Sequence, residues 1–305
     1  MIKKILLPLL AAMIWGFAFS AQSSGSAHVP PFTFNASRSI IAVVTLSIVY
    51  LLSINHKKRH GLYTPPKGGK KALLLGGVCC GTIMAIATNL QQMGLGETDA
   101  GKASFITALY IVLVPIFGIF LRKRTHFLTL ISVVLAVVGM YLLCVQDGFT
   151  MQASDVYVLI CAFCFALHIL AIDHFAPLTD CIALSLLQFV VMAVESAFLA
   201  LVWETPTWSG ISSCLWEILY VGVLSSGVAY TLQIIAQKDA DPTLVSLLLS
   251  LESVFGALGG AIFLGERMTA QEYLGCAVML FAILLSQLPH DLWNTLLKRF
   301  GQIRK

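Results

Sequence analysis

The chain has 305 residues, of which 58% are hydrophobic and 11% charged, with a net charge of +4 and a mean hydropathy of +0.88. About a quarter of the residues in a soluble domain are charged, so this composition excludes one and points to a bilayer as the solvent. The charges sit between long apolar runs rather than within them, which also excludes nucleic-acid binding.

A transmembrane helix needs about 20 mainly apolar residues, and ten such runs begin near positions 5, 32, 72, 103, 126, 154, 181, 214, 242 and 272. The first follows Lys3 and Lys4 and ends in small residues between Ser20 and Ser26, as a signal peptide would. It is read as an uncleaved span, because its removal would leave nine runs and unmatch the two halves described below. The longest connection, Asn55 to Lys71, contains Pro65, Pro66 and Gly68, and no stretch suggests a separate soluble domain. The cysteines lie mostly inside apolar runs without the spacing of a disulfide framework, and Cys161 and Cys164 are read as small packing residues.

Lys and Arg are retained on the cytoplasmic side of membrane proteins. With the N-terminus inside, the inside segments hold Lys3, Lys4, Lys57, Lys58, Arg59, Lys67, Lys70, Lys71, Arg122, Lys123, Arg124, Lys238, Lys298, Arg299, Arg304 and Lys305, which is sixteen of the 19. Lys102 and Arg267 fall outside, and Arg38 lies within the second run. The asymmetry predicts an even number of spans with both termini cytoplasmic.

The chain also resembles itself. Leu90-Gln91 and Ala103-Ser104 match Leu232-Gln233 and Val245-Ser246, and Phe120-Leu121-Arg122-Lys123-Arg124 matches Phe263-Leu264-Gly265-Glu266-Arg267, at separations of 142 and 143 residues. That distance is five spans, and an odd number of spans per half forces the halves to be inverted, a frequent signature of secondary transporters. The expected fold is an all-α integral membrane protein of ten transmembrane helices in two inverted five-helix repeats (5+5), residues 1–147 and 152–290, followed by a basic cytoplasmic tail, 291–305.

No P-loop, H-E-x-x-H, G-x-S-x-G or metal-ligand spacing is present, so neither an enzyme nor a bound cofactor or metal is expected. What remains are polar groups at membrane depth. A central Arg or Asp costs roughly 2.5 to 3.5 kcal/mol on insertion scales and should face protein or water. Arg38 shares a helical face with Asn35, Ala42 and Thr45 and is either an anchor for an anionic group of a solute or a structural ion pair or gate. Glu195, in the mirror span of Arg38, suggests a charge pair across the halves, although Gln188 is the closer positional counterpart. Glu252, followed by Gly256 and Gly259 at packing intervals, is either a proton-coupling carboxylate or an interior hydrogen-bonding group. His168 is either a proton relay or a hydrogen-bonded packing residue. Thr88, Gln92 and Gln233 lie on small and polar stripes of the equivalent third and eighth runs, where they either line a wet cavity or pack. Trp15, Tyr110 and Tyr230 either stack on a solute or fill the interior.

The run Gly101-Lys102-Ala103-Ser104-Phe105-Ile106-Thr107-Ala108-Leu109-Tyr110, with Val114-Pro115, resembles the fourth helix of EamA-domain transporters of the drug/metabolite transporter superfamily. Leu251-Glu252-Ser253-Val254-Phe255 through Phe263-Leu264-Gly265-Glu266-Arg267 is similar to the matching stretch of the second repeat of that family, and Trp15-Gly16 and Arg38 also fit its pattern. The resemblance covers residues 5 to 290. Ser253 stands where the family has proline, which points to a less kinked ninth helix, and Leu121-Arg122-Lys123-Arg124 replaces the L-G-E-R of many relatives.

The resemblance implies a ten-helix carrier of the bacterial inner membrane that exports amino acids, metabolites or drugs through a cavity between the halves. It also makes Arg38 and Glu252 candidates for shared architecture or gating rather than for choosing a ligand. The expected function is secondary transport of small organic solutes by alternating access, with runs five and ten as buttresses. The partners are a small-molecule solute and the lipid bilayer, with no nucleic acid, and the chain is either a monomer or a homodimer. The rival reading is a non-transporting structural or sensory membrane partner with a dry, tightly packed interior.

Overall fold

A computed structural model describes residues 2–98, 100–123, 127–144, 152–263 and 269–286. The Leu264–Arg267 end of the second repeat motif, Arg124 and the basic tail 291–305 lie outside the described residues. The helices are α1 (Ile2–Ser26), α2 (Pro31–Arg59), α3 (Gly69–Leu95), α4 (Ala100–Ala108), α5 (Tyr110–Phe120), α6 (Phe127–Cys144), α7 (Ala153–Phe175), α8 (Cys181–Trp203), α9 (Trp208–Ser213), α10 (Leu215–Tyr220), α11 (Tyr230–Gln237), α12 (Pro242–Leu249), α13 (Glu252–Phe263) and α14 (Ala270–Ser286). A π-helical stretch, Val221–Ala229, joins α10 to α11.

Among the described residues eight rods are long and apolar enough to cross a membrane: α1, α2, α3, α4–α5, α7, α8, α10–α11 and α12–α13. Two shorter apolar helices, Phe127–Leu143 and Ala270–Ser286, accompany them. The outer faces carry large exposed side chains such as Leu52, Leu74, Phe120, Leu201 and Leu284, as expected where lipid rather than water is the neighbour.

Caps are supplied locally or by the other half of the chain. Asp180 accepts from the N–H groups of Ile182 and Ala183 at the start of α8, and Asp241 does the same for Thr243 and Leu244 before Pro242 opens α12. Helix α2 opens at Pro30-Pro31 without a side-chain cap of its own. Its first N–H groups, from Phe32 and Thr33, instead donate to the Glu204 carboxylate at the end of α8, at 2.9 and 2.7 Å. That bond ties the two halves together at one end of the bundle.

The packing repeats when the halves are exchanged. α3 lies against α7 and α8 as α10–α11 with its π segment lies against α1 and α2; α4–α5 packs on α7 as α12–α13 packs on α1; α2 meets α8, and α6 meets α14. Glycines make the closest crossings. A methyl group placed on Gly81 would lie 2.6 Å from Val191 Cβ and 2.8 Å from the Gln188 carbonyl oxygen, and one on Gly222 would lie 2.8 Å from Ile41 Cβ and 2.9 Å from the Arg38 carbonyl oxygen. Arg38 and Gln188 therefore occupy matching places. α6 and α14 cross where Gly139 and Gly275 each face the other's carbonyl oxygen, at 2.8 and 2.6 Å by the same measure. Contact this close is what small residues allow between membrane helices.

Two rods are broken at matching points. The fourth apolar run is interrupted at Leu109, whose N–H reaches Ile106, and the ninth at Ser250–Leu251, where the Leu251 N–H reaches Leu248. Ser253, in place of a proline, pointed to a less kinked ninth helix; the interruption occurs without one. Ser246 and Ser250 donate their hydroxyls to the carbonyls of Thr243 and Leu247, both at 2.8 Å, a back-bonding that bends helices. In the first half Pro115, inside α5, has no N–H to offer the Ile111 carbonyl in the preceding turn, just after the break.

The π-helical stretch has a similarly local cause. Gly81 and Gly222 are 141 residues apart whereas Gln91 and Gln233 are 142 apart, so the second half holds one more residue between them. Val221–Ala229 absorbs it as a widened turn, and the residues beyond return to register.

Candidate functional site

The interior side chains converge between the halves. A chamber of about 40 Å³ is lined by Trp15, Phe19 and Gln22 of α1, Arg38 of α2, Gln91 of α3, Thr107 and Tyr110 on either side of the first break, Phe165, His168 and Ile169 of α7, Ser225, Tyr230 and Gln233 of the eighth run, and Leu249 and Glu252 on either side of the second break. At roughly 10–15 Å³ per water it holds about three water molecules. α8 contributes no wall but holds Gln188 behind His168.

The lining is arranged in matched pairs. Tyr110 and Glu252 are 142 residues apart in sequence, each directly after a break, and they meet: the Tyr110 hydroxyl donates to Glu252 Oε1 at 3.0 Å. Gln91 and Gln233, Thr107 and Leu249, and Phe19 and Phe165 are further pairs. Arg38 Nη1 donates to Gln22 Oε1 at 3.1 Å, and the corresponding Gln188 lies against His168 at 3.2 Å. The second contact is therefore the counterpart of the first.

Arg38 is 2% exposed and, among the described residues, has no carboxylate within 4 Å. Its Nε has no hydrogen-bond partner, nor do His168 Nδ1, Gln188 Nε2 or Gln233 Oε1. Buried donors and acceptors are rarely left so, and each costs about 1–3 kcal/mol when unsatisfied. Three such groups on the chamber wall, with Gln188 behind His168 as a fourth, describe a place where a ligand or water completes the bonding. Aromatic rings bound it: Trp15 and Tyr230 have centroids 4.7 Å apart, Tyr230 lies 6.0 Å from His168, and Phe165 lies 6.4 Å from His168. Trp15 Nε1 donates to the Ser225 carbonyl in the π segment, at 3.3 Å.

Of the residues singled out from the sequence, Trp15, Arg38, Tyr110, His168, Tyr230, Gln233 and Glu252 reach the chamber. Thr88 and Gln92 are buried beside it. The Thr88 hydroxyl donates to its own helix at Met84, and Gln92 Nε2 donates to the Gln22 carbonyl and to Ser26 Oγ, which fixes α3 to α1. Glu195 is half-buried at the seam of α3 and α8, where Thr82 donates to it at 2.6 Å, so Arg38 and Glu195 do not form the cross-half pair. Phe19, Gln22, Gln91, Thr107, Phe165, Ile169, Ser225 and Leu249 were not anticipated. The repeat itself carried a signal for Gln91, which is the counterpart of Gln233.

At the aqueous ends, ion pairs join the halves. Lys57 meets Asp180 at 2.8 Å, Lys123 meets Asp173, and at the opposite end Lys102 meets Asp155 at 2.5 Å. Burial alone would push the Asp180 carboxyl up, but the bonds from Lys57, Ala183 and Ile182 hold it below its ordinary value of 3.8.

Long apolar rods around an interior chamber with polar groups in its wall define a multi-pass membrane protein, and comparison with known proteins makes it a transporter rather than an enzyme. The chain belongs to the EamA-like transporter family, whose model matches residues 2–145 and 152–288. It is 28% identical over 280 residues to an uncharacterized transporter of Archaeoglobus fulgidus, covering 92% of this chain and 84% of that one. It is 22% identical to the uncharacterized transporter YoaV of Bacillus subtilis, covering 94% and 97%. A crystal structure at 17% identity superposes with a TM-score of 0.74 over 93% of this chain and 96% of that chain, which shows a shared fold.

Proposed function

We propose that the protein is a secondary transporter that exports small organic solutes, such as amino acids, metabolites or drugs, across the bacterial inner membrane by alternating access. In this reading ten spans form two inverted repeats, 1–147 and 152–290, with both termini and the tail 291–305 in the cytoplasm. α6 and α14 supply the two spans beyond the eight long rods. The observation that carries the reading is the chamber itself: it lies between matched broken helices, which is where secondary transporters build their sites, and it holds an Arg38 without a carboxylate partner among the described residues. At about 40 Å³ the chamber is small for an organic solute, and in this reading the halves part to load it. The ion pairs support this division: Lys57–Asp180 and Lys123–Asp173 join segments that the charge count assigns to the cytoplasm, and Lys102–Asp155 joins two that it assigns outside.

Among the three coupling candidates, Glu252 and His168 face the chamber and Glu195 does not, so proton coupling is assigned to the first two. The test is flux of labelled amino acids and amphiphilic metabolites by purified protein in liposomes, with and without a pH gradient. Saturable flux that follows the gradient, is lost in Arg38→Ala, becomes indifferent to the gradient in Glu252→Gln and persists in Glu195→Gln is the expected outcome. Folded protein without flux for any compound would favour the non-transporting membrane partner.

A further inference from the structure

The connection between α2 and α3 is the most strongly charged surface of the described protein. Residues 55–71 carry Lys57, Lys58, Arg59, Lys67, Lys70 and Lys71 without one Asp or Glu. Gly61 and Gly69, at φ +65° and +59°, turn the chain back on itself, and Gly68 N–H donates to the Leu178 carbonyl at 2.9 Å. The connection is thereby held against the segment before α8, over a groove of about 340 Å³. Tyr50, Ile54, Pro65 and Leu73 supply apolar walls, and Lys57 and Lys70 stand among them.

The two lysines are not equivalent. Lys57 is paired with Asp180, so that pair is neutral overall, whereas Lys70 is exposed and has no acidic partner among the described residues. Below the groove the flanking helices present Leu51, Leu52, Leu74 and Leu75, each more than half exposed. Within the groove Tyr50, Ile54 and Leu73 lie one to two helical turns nearer those leucines than Lys57 and Lys70 do, so it is apolar toward the membrane and cationic toward the connection. Apolar below and cationic above is the polarity of a phospholipid reversed in charge at the head.

We propose that this groove is a binding site for one anionic phospholipid, its phosphate at Lys70 with Lys67 and Lys71 nearby in sequence, and its upper acyl chain against Ile54 and Leu73. A free inorganic anion would use the lysine and leave the apolar walls unfilled. Basic residues next to an anionic membrane surface attract it, and five of the six here remain once Lys57 is paired with Asp180, so a clear preference for anionic over zwitterionic lipid follows. The inference needs only the membrane-spanning fold and stands apart from the transport reading.

The test is native mass spectrometry of the full-length protein released from micelles that contain equal amounts of phosphatidylglycerol and phosphatidylcholine with the same chains. At least a several-fold excess of retained phosphatidylglycerol is expected. The excess should collapse toward parity in a Lys67→Gln, Lys70→Gln, Lys71→Gln variant but persist in Arg122→Gln, which lowers the charge elsewhere. Ser53→Phe, which fills the groove without changing the charge, should abolish retention at this site. Equal retention of both lipids by the natural chain, or an excess that survives both the triple variant and Ser53→Phe, would overturn the proposal. Displacement of the lipid by inorganic phosphate would assign the lysines to a small anion instead.

Discussion

The two halves of this chain pack alike and differ in chemistry. Gly81 against Gln188 and Val191 is reproduced by Gly222 against Arg38 and Ile41, and the breaks at Leu109 and Leu251 fall at matching positions. At and just behind the chamber the matched positions have diverged: Gln22 corresponds to His168, Arg38 to Gln188, and Tyr110 to Glu252. Crossing points admit little variation, because a backbone atom on the facing helix cannot yield. A chamber position must only be filled and hydrogen-bonded, so it is where two related halves are able to specialise.

The comparison is broken most severely at the crossings. Valine at Gly81 or at Gly222 should cost about 1–3 kcal/mol or more in each case by overpacking against backbone, and monodisperse folded protein after extraction should fall to a similar extent for the two variants. Ala at Gly256, where the nearest atom to an added methyl group is Gly16 O at 3.6 Å, should be tolerated. Unequal yields for Gly81→Val and Gly222→Val would show that the halves do not share the packing load.

Making the chamber alike in both halves comes next. Arg38→Gln repeats Gln188 and should lower liposome flux at least about tenfold, the equivalent of about 1.4 kcal/mol, with folded yield retained because Gln22 keeps an amide partner. Gln188→Asn, one step behind the chamber, should change flux by less. The reverse order would move the functional weight to the second half.

Tyr110→Phe removes the donor from Glu252 Oε1 and leaves a buried carboxyl group without it. An unsatisfied buried group costs about 1–3 kcal/mol, which a lowered thermal midpoint in detergent would report. An unchanged midpoint would mean that water takes the place of the hydroxyl.

The smallest effect lies at the rim where Lys57 meets Asp180. Asp180 has a carboxyl held below its ordinary value, so its contribution is complete above about pH 4 and is lost as the pH falls through the lowered value. Asp180→Asn keeps an acceptor for the N-terminus of α8 but loses the charge; it should lower stability by no more than about 1 kcal/mol at neutral pH and flatten the acid limb of a stability-against-pH curve. An acid limb identical to that of the natural chain would assign it to other carboxylates.

The sequence by itself determined the membrane helices, the family and the two repeats. Hydropathy adds along each run, and residues such as Leu90-Gln91 and Leu232-Gln233 keep the same chemistry in both halves. It also brought forward seven residues that line the chamber, because an Arg, Glu or His at membrane depth is unusual wherever it points. Only the tertiary structure decided which polar residues share one space. Thr88 matches Tyr230 in the repeat, yet its short side chain bonds back to Met84 while the tyrosine ring spans the gap to Trp15 and His168. Glu195 faces Thr82 at a helix seam, and Gln22, two helical turns from Trp15, turns inward to Arg38. The rotation and crossing of each helix settle such outcomes. They depend on close contacts such as those of Gly81 and Gly222, between residues more than a hundred positions apart from their partners, and one extra residue in the second half had to be stored in a π-helical turn to keep Gln233 in place.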